Sequence, residues 1–204
     1  FVLDNLYYWY LWNDLLPANI NIADYASPEE LASEVTRTFG PQNANNEPID
    51  LFSSVGSLNA DQQFFGEGKY EGFGFSWQLE NDEMRFTRVF VDSPANTVGN
   101  FERTQTVVSL DGRPIADILA NEGIGAALVN ATVTFEIREL NGTVRPPVAV
   151  TKDIVTINPV PQWRVIDAGD GRSIGYMELS TFISTANAKF DEVFGAFRAA
   201  NVSE

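Results

Sequence analysis

The sequence predicts an α+β fold, and three observations carry that expectation. Up to about residue 66, apolar and aromatic residues recur at helical spacing. From residue 70 the texture changes to short strand-like runs punctuated by Asp-Gly and Asn-Gly turns. From about residue 158 a single hairpin pattern leads into an amphipathic helix.

Residues 2 to 16 carry apolar side chains on nearly every face, including Leu3, Leu6, Tyr7, Trp9, Tyr10 and Leu16, and Pro17 ends the run. This reads as a helix largely surrounded by protein, with sugar stacking by exposed rings as the alternative. "YASPEELASEVTR" begins a second helix. Ser27 suits the N-cap, Pro28 the first helical position, and Glu30 completes a capping box; Leu31 and Val35 form the buried stripe before Gly40-Pro41 stops it. Residues 49 to 65 read as a short helix and turns.

"GFSWQLE" and "EMRFTRVFV" are expected strands around "ENDE", and "SPANTVGN" a short helix opened by Ser93. "TVVSLDG" is a strand closed by Asp111-Gly112. "IADILANEGIGAALV" is helical with a break at Gly123 and Gly125, and "TVTFEIREL" and "VRPPVAVTKDIVTI" are two strands around Asn141-Gly142. "NPVPQW" reads as a stiff linker, because its prolines favour extended backbone. "WRVIDAGDGRSIGYMEL" is a hairpin over Asp170-Gly171, and "TANAKFDEVFGAFRAA" a helix with Ala188, Phe190, Val193, Phe194 and Phe197 available for burial.

Composition excludes several functions. Among 204 residues, 28 acidic side chains against 13 basic ones leave a net charge of −15, which repels nucleic acid and anionic membrane surfaces. No apolar run approaches the length of a membrane span, and the first residues lack the basic start and small-residue cleavage site of a signal peptide. Histidine and cysteine are both absent, which removes imidazole-based triads, thiol nucleophiles and the common transition-metal ligands. Neither metal nor cofactor is expected. The adjacent pairs Glu29-Glu30, Asp82-Glu83 and Asp191-Glu192 read as solvated surface.

The chemistry concentrates in "KYEGFGFSWQL". Glycines inside a strand mark either a β-bulge or a place where another backbone approaches. In the second reading, the amides of Phe73, Gly74 and Phe75, freed by Gly72 and Gly74, form a nest for a carboxylate. A peptide would then add along the following strand, with Phe73 and Phe75 walling its last side chain and Trp77, Ile124 and Leu128 lining the groove.

The order of these elements resembles the PDZ domain of bacterial processing proteases. "YEGFGFSW" matches the carboxylate-binding loop, "VFVDSPANTVG" the turn and helix after the second strand, and "VVSLDGRPI" the strand ending in Asp-Gly. "YYWYLWNDLLP" with "YASPEEL" is similar to the N-terminal helical region of C-terminal processing peptidases, the tail-specific proteases of family S41; "GRSIGYMELSTFISTANAKFDEVFGAF" is similar to the start of their catalytic core. The resemblance implies an N-terminal helical region over 1–66, a PDZ-like β-sandwich or partial barrel with two helices over 67–157, and the first hairpin and helix of an incomplete α/β protease core over 158–204. It implies polypeptide C-termini as partners, a serine endopeptidase acting through a Ser/Lys dyad, and a place in the bacterial cell envelope.

One departure is local: the family has Gly-Asp ahead of the Asp-Gly strand, where this chain has Thr104-Gln105. A second concerns catalysis. The family's serine and lysine lie beyond the helix at which the sequence stops, and Lys69, Lys152 and Lys189 have no serine in a glycine-flanked turn nearby, so no catalytic residue is assigned. Lys69 is a candidate charge beside the loop or a plain solvated lysine, and Lys152 and Lys189 read as surface. A non-enzymatic peptide-binding module or scaffold is the alternative reading. The sequence assigns no oligomeric state.

Overall fold

The computed structural model describes residues 1–169 and 171–204, and the chain divides into two compact units, Phe1–Asp61 and Gln62–Glu204. The expected α+β class is what the structure has: helices beside antiparallel sheets.

In the first unit, α1 (Val2–Trp9) packs against α2 (Pro28–Phe39). The start of α2 follows from local chemistry. Ser27 Oγ accepts from the Glu30 N–H at 3.1 Å, while the Glu30 carboxylate reaches back to the Ala26 N–H. Leu31 and Val35 are buried with Tyr10 and Leu16 in one apolar cluster. The expectation of a helix over residues 2–16 largely surrounded by protein is corrected: α1 ends at Trp9, none of its residues is buried, and Tyr8 and Trp9 stand about four-fifths exposed. An eight-residue helix covered from one side by α2 leaves its remaining rings to solvent. Tyr10 is different. Burial first, and then the neighbouring Asp50 carboxylate, push its phenol up to about 12. After α2, α3 (Leu58–Asp61) ends this unit.

The second unit opens with a π-helical turn, Gln62–Glu67, and then β1 (Lys69–Gly72). A six-stranded antiparallel sheet follows. It is built from β2 (Phe75–Glu80), β3 (Glu83–Val89), β4 (Thr106–Leu110), β5 (Arg113–Pro114), β6 (Thr132–Arg138) and β7 (Val148–Thr151), in the order β2-β3-β4-β6-β7 with β5 paired to β4. Asn81 and Asp82 both take positive φ (53° and 61°), the conformation of a tight primed hairpin turn between β2 and β3. Glu83 closes the end of that hairpin. Hydrogen bonds from Arg138 and then Arg85 hold its carboxyl below the usual range.

Three short helices belong to this sheet: α4 (Pro94–Thr97), α5 (Ile115–Asn121) and α6 (Ile124–Ala127). The break between α5 and α6 falls at Gly123, whose φ of 82° a side chain would resist. The core beneath them is aromatic: Phe73, Phe86, Phe101 and Phe135 join Met84, Leu110, Ile118 and Val133, all buried. Phe135 sits edge-on to Phe73 (5.4 Å between centroids) and to Phe101 (5.3 Å).

The run "VRPPVAVTKDIVTI" is two strands, not one. β7 stays in the main sheet, whereas β8 (Asp153–Thr156) leaves it and pairs antiparallel with β1, setting Gly72 opposite Asp153. Lys152 lies at the junction, its N–H on the Ala131 carbonyl at 2.7 Å. The expected stiff linker "NPVPQW" is packed into the second unit. Val160 is buried with Val193 and Phe197, and the Pro159 carbonyl accepts from the Ser180 N–H at 2.8 Å.

The trailing hairpin pairs β9 (Gln162–Gly169) with β10 (Arg172–Glu178), and α7 (Ala186–Ala199) lays Phe197 against Gly175 and Trp163. Of the expected hairpin turn, Asp170 lies outside the described residues. Of the five residues expected inward on α7, Val193 and Phe197 are buried, Phe190 is half-buried, and Ala188 and Phe194 are exposed.

Candidate peptide-carboxylate site

The loop between β1 and β2 turns two successive amides the same way, which follows from where its carbonyls go. The Phe73 carbonyl accepts from the Ala95 N–H at 2.8 Å. The Gly74 carbonyl accepts from the Phe90 N–H at 2.9 Å and from Ser93 Oγ at 3.1 Å. Both therefore point toward the β3–α4 side. A trans peptide sets the N–H opposite the C=O, and the chain has no cis peptide among the described residues. The N–H groups of Gly74 and Phe75 are thus turned together to the other side. Among the described residues, no protein acceptor engages the N–H of Phe73 or Gly74.

The pairing of β2 with β3 gives the same direction for Phe75 independently. Phe75 lies opposite Val89, and the Phe90-to-Gly74 bond flanks that pair. The pair is therefore of the non-hydrogen-bonded kind, and the Phe75 N–H leaves the sheet at its edge. That edge is open: β2 is the terminal strand of the sheet. An unpaired strand edge of this kind leaves its outward N–H and C=O groups free for pairing.

The two glycines have distinct structural needs. Gly74 takes φ of 88°, and a Cβ there would stand 2.0 Å from Ser93 Cβ. Nothing but glycine satisfies both the left-handed backbone and the contact with Ser93. At Gly72 a Cβ would meet the Tyr70 ring at 2.5 Å. These constraints shape the loop whether or not a ligand enters it.

The other expected residues divide between core and surface. Phe73 is 6% exposed and its ring stacks at 5.9 Å on Phe75. Phe75 and Trp77 are partly exposed and pack on the same core cluster, while Ser76 and Gln78 between and beyond them face out. Ile124 is 2% exposed and belongs to the core. Leu128 is partly exposed at the end of α6, and so is Leu119 on α5, which the sequence reading did not single out.

Of the lysines, Lys69 is neutralised by Glu67 at 3.1 Å and Lys189 by Glu192 at 2.8 Å. Lys152, read from sequence as surface, is half-buried with its ammonium 5.3 Å from the centre of the Phe73 ring and donating to the Val129 carbonyl at 2.8 Å. Sequence spacing holds no signal for this, because Lys152 reaches the loop through the long-range pairing of β1 with β8. Among the described residues, no cluster of acidic side chains is placed to hold a metal ion.

Two cavities are lined by residues other than Phe73, Gly74 and Phe75. One, of about 1120 Å³, runs between β3 and α7 past Arg88, Arg103, Glu178 and Lys189. The other, of about 460 Å³, is lined by Phe64, Tyr70, Phe90, Arg88 and Ser180. Arg88 and Glu178 meet at 2.7 Å beside the larger one.

Comparison with known proteins agrees with the sequence resemblance at the N-terminus, where residues 1–38 match the family model described as the peptidase S41 N-terminal domain. Similar solved structures include a PDZ domain protein from Parabacteroides distasonis ATCC 8503, 17% identical, the likeness covering 45% of this chain and 22% of that one with a TM-score of 0.37. Another is the PDZ domain of a carboxy-terminal protease from Vibrio cholerae in complex with peptide, 12% identical, covering 44% of this chain and 99% of that one with a TM-score of 0.32. No curated protein matches the chain. No helix among the described residues is long and apolar enough to cross a membrane.

Proposed function

We propose that this chain is the peptide-recognising portion of an S41-type serine endopeptidase, and that it takes the C-terminal end of polypeptide substrates by strand addition. The observation that carries the reading is the common direction of the Gly74 and Phe75 amides, beside the open edge of β2. Backbone amides converging from a loop bind an anion through fixed dipoles, without a charged side chain. The peptide's terminal carboxylate would rest there, its backbone would extend β2, and its last side chain would lie by Phe75, Trp77, Leu119 and Leu128. The N-terminal match to the S41 family supports the wider assignment.

In this reading the chain has three parts: 1–66 helical, 67–157 the PDZ domain and 158–204 the start of a catalytic core. Cleavage itself belongs to a Ser/Lys dyad beyond residue 204, and the site of action is the bacterial cell envelope. The burial of Val160 favours a PDZ domain held against the trailing segment over one swinging on a loose tether.

Fluorescence anisotropy with labelled peptides ending in apolar residues tests the reading. The free acid is expected to bind at least about tenfold more tightly than the same peptide amidated, as befits loss of charge-assisted hydrogen bonds. Equal affinity for the two would overturn it. Gly74→Val is not a useful control, because the clash with Ser93 would disturb the loop regardless of ligand.

A further inference from the structure

We infer that Lys152 is a charge-selecting residue of the carboxylate site, an ammonium stationed beside the amide nest that makes the site prefer an anionic peptide end. The inference rests on the carboxylate reading above and adds to it a side chain from the far end of the domain.

Position comes first. One residue past the Gly72·Asp153 pair, β1 runs into the nest at Phe73 and β8 runs back into Lys152, so the pairing of β1 with β8 sets Lys152 beside the loop. The side chain is then held from two directions. Its ammonium lies 5.3 Å from the Phe73 ring centre, within the range of a cation–π contact, and donates to the Val129 carbonyl at 2.8 Å. Val129 follows Leu128 directly at the end of α6, so Lys152 links the loop to the helical wall of the groove.

Availability comes second. A lysine ammonium has three donors, and the Val129 carbonyl takes one. Both other lysines have a carboxylate partner, whereas Lys152 has none within 4.0 Å among the described residues. In a chain of net charge −15, an incoming carboxylate meets a repulsive field. An uncompensated ammonium beside the nest opposes that field where the anion must sit.

The test compares acid and amide forms of one labelled peptide on the wild-type chain and on Lys152→Met, Lys152→Gln and Lys152→Arg, at low and high salt. Val129 is 71% exposed, so water can replace the lost donor, and thermal unfolding is measured to show that each variant folds. Lys152→Met and Lys152→Gln are expected to weaken acid binding by about three- to tenfold and to flatten its salt dependence, leaving the amide peptide's affinity unchanged. Lys152→Arg is expected to restore most of the preference. A purely structural lysine would weaken acid and amide alike. Should the wild type prefer the acid while Lys152→Met keeps that preference undiminished, this inference falls and the nest stands. Should the wild type fail to distinguish acid from amide, the nest falls and Lys152 with it.

Discussion

Single residues determine the loop. Gly74 answers a steric demand from Ser93 and a φ that side chains resist, and its carbonyl is held from two directions. Its place was legible in the sequence, because a glycine within an apolar run already signals special backbone. Lys152 was not legible, because its neighbours Phe73 and Val129 lie 79 and 23 positions away in the chain. Thr104 shows a different relation between sequence and strain. It stands where the resembling family has glycine, and it takes φ of 78°. A β-branched residue in that region is strained by about 1–3 kcal/mol. Thr104→Gly is therefore expected to stabilise the chain by up to about 1 kcal/mol, less than the relieved strain because glycine gains freedom in the unfolded state. Chemical denaturation measures this, and a loss of stability would show that Thr104 is not strained in place.

At the scale of elements, local signals were read well and long-range ones poorly. The N-cap of α2 and the cap of α4 at Ser93 each lie within four residues of what they bond, so the sequence displays them. Whether a run of β-prone residues forms one strand or two depends on partners far along the chain. That is why the division at Lys152 into β7 and β8 was missed. The same holds for α1, whose exposed rings follow from which neighbours cover it, and for the linker, whose Val160 is captured by α7. The trailing hairpin is tied to β3 by Arg88 and Glu178, 2.7 Å apart and each about one-third exposed. A double-mutant cycle with Arg88→Met and Glu178→Gln is expected to give a coupling of about 0.5–1 kcal/mol, typical of a partly screened pair. A coupling near zero would mean that this ion pair does not help to hold the hairpin in place.

Across the whole molecule, the α+β class and the glycine-marked loop are legible in the sequence, whereas the pairing of β1 with β8 is not. What the sequence left open was whether the glycines are merely structural or also face a ligand. The fold sharpens that question. Gly74 is required sterically and a side chain at Gly72 would have to displace the Tyr70 ring, yet the same loop turns two amides outward at an open strand edge, with a lysine beside it. A chain so acidic gains nothing from general attraction to a carboxylate, so under the proposed function recognition would come from this one locality.

The most direct measurement is therefore made at the amides themselves. Backbone ¹H–¹⁵N resonances are followed while the isotopically labelled chain is titrated with a peptide acid, and then with its amide. The expected result is a large downfield shift of the Gly74 and Phe75 N–H protons with the acid, and little at those two positions with the amide. Shifts confined to other parts of the chain, or equal for both peptides at Gly74 and Phe75, would contradict the carboxylate nest.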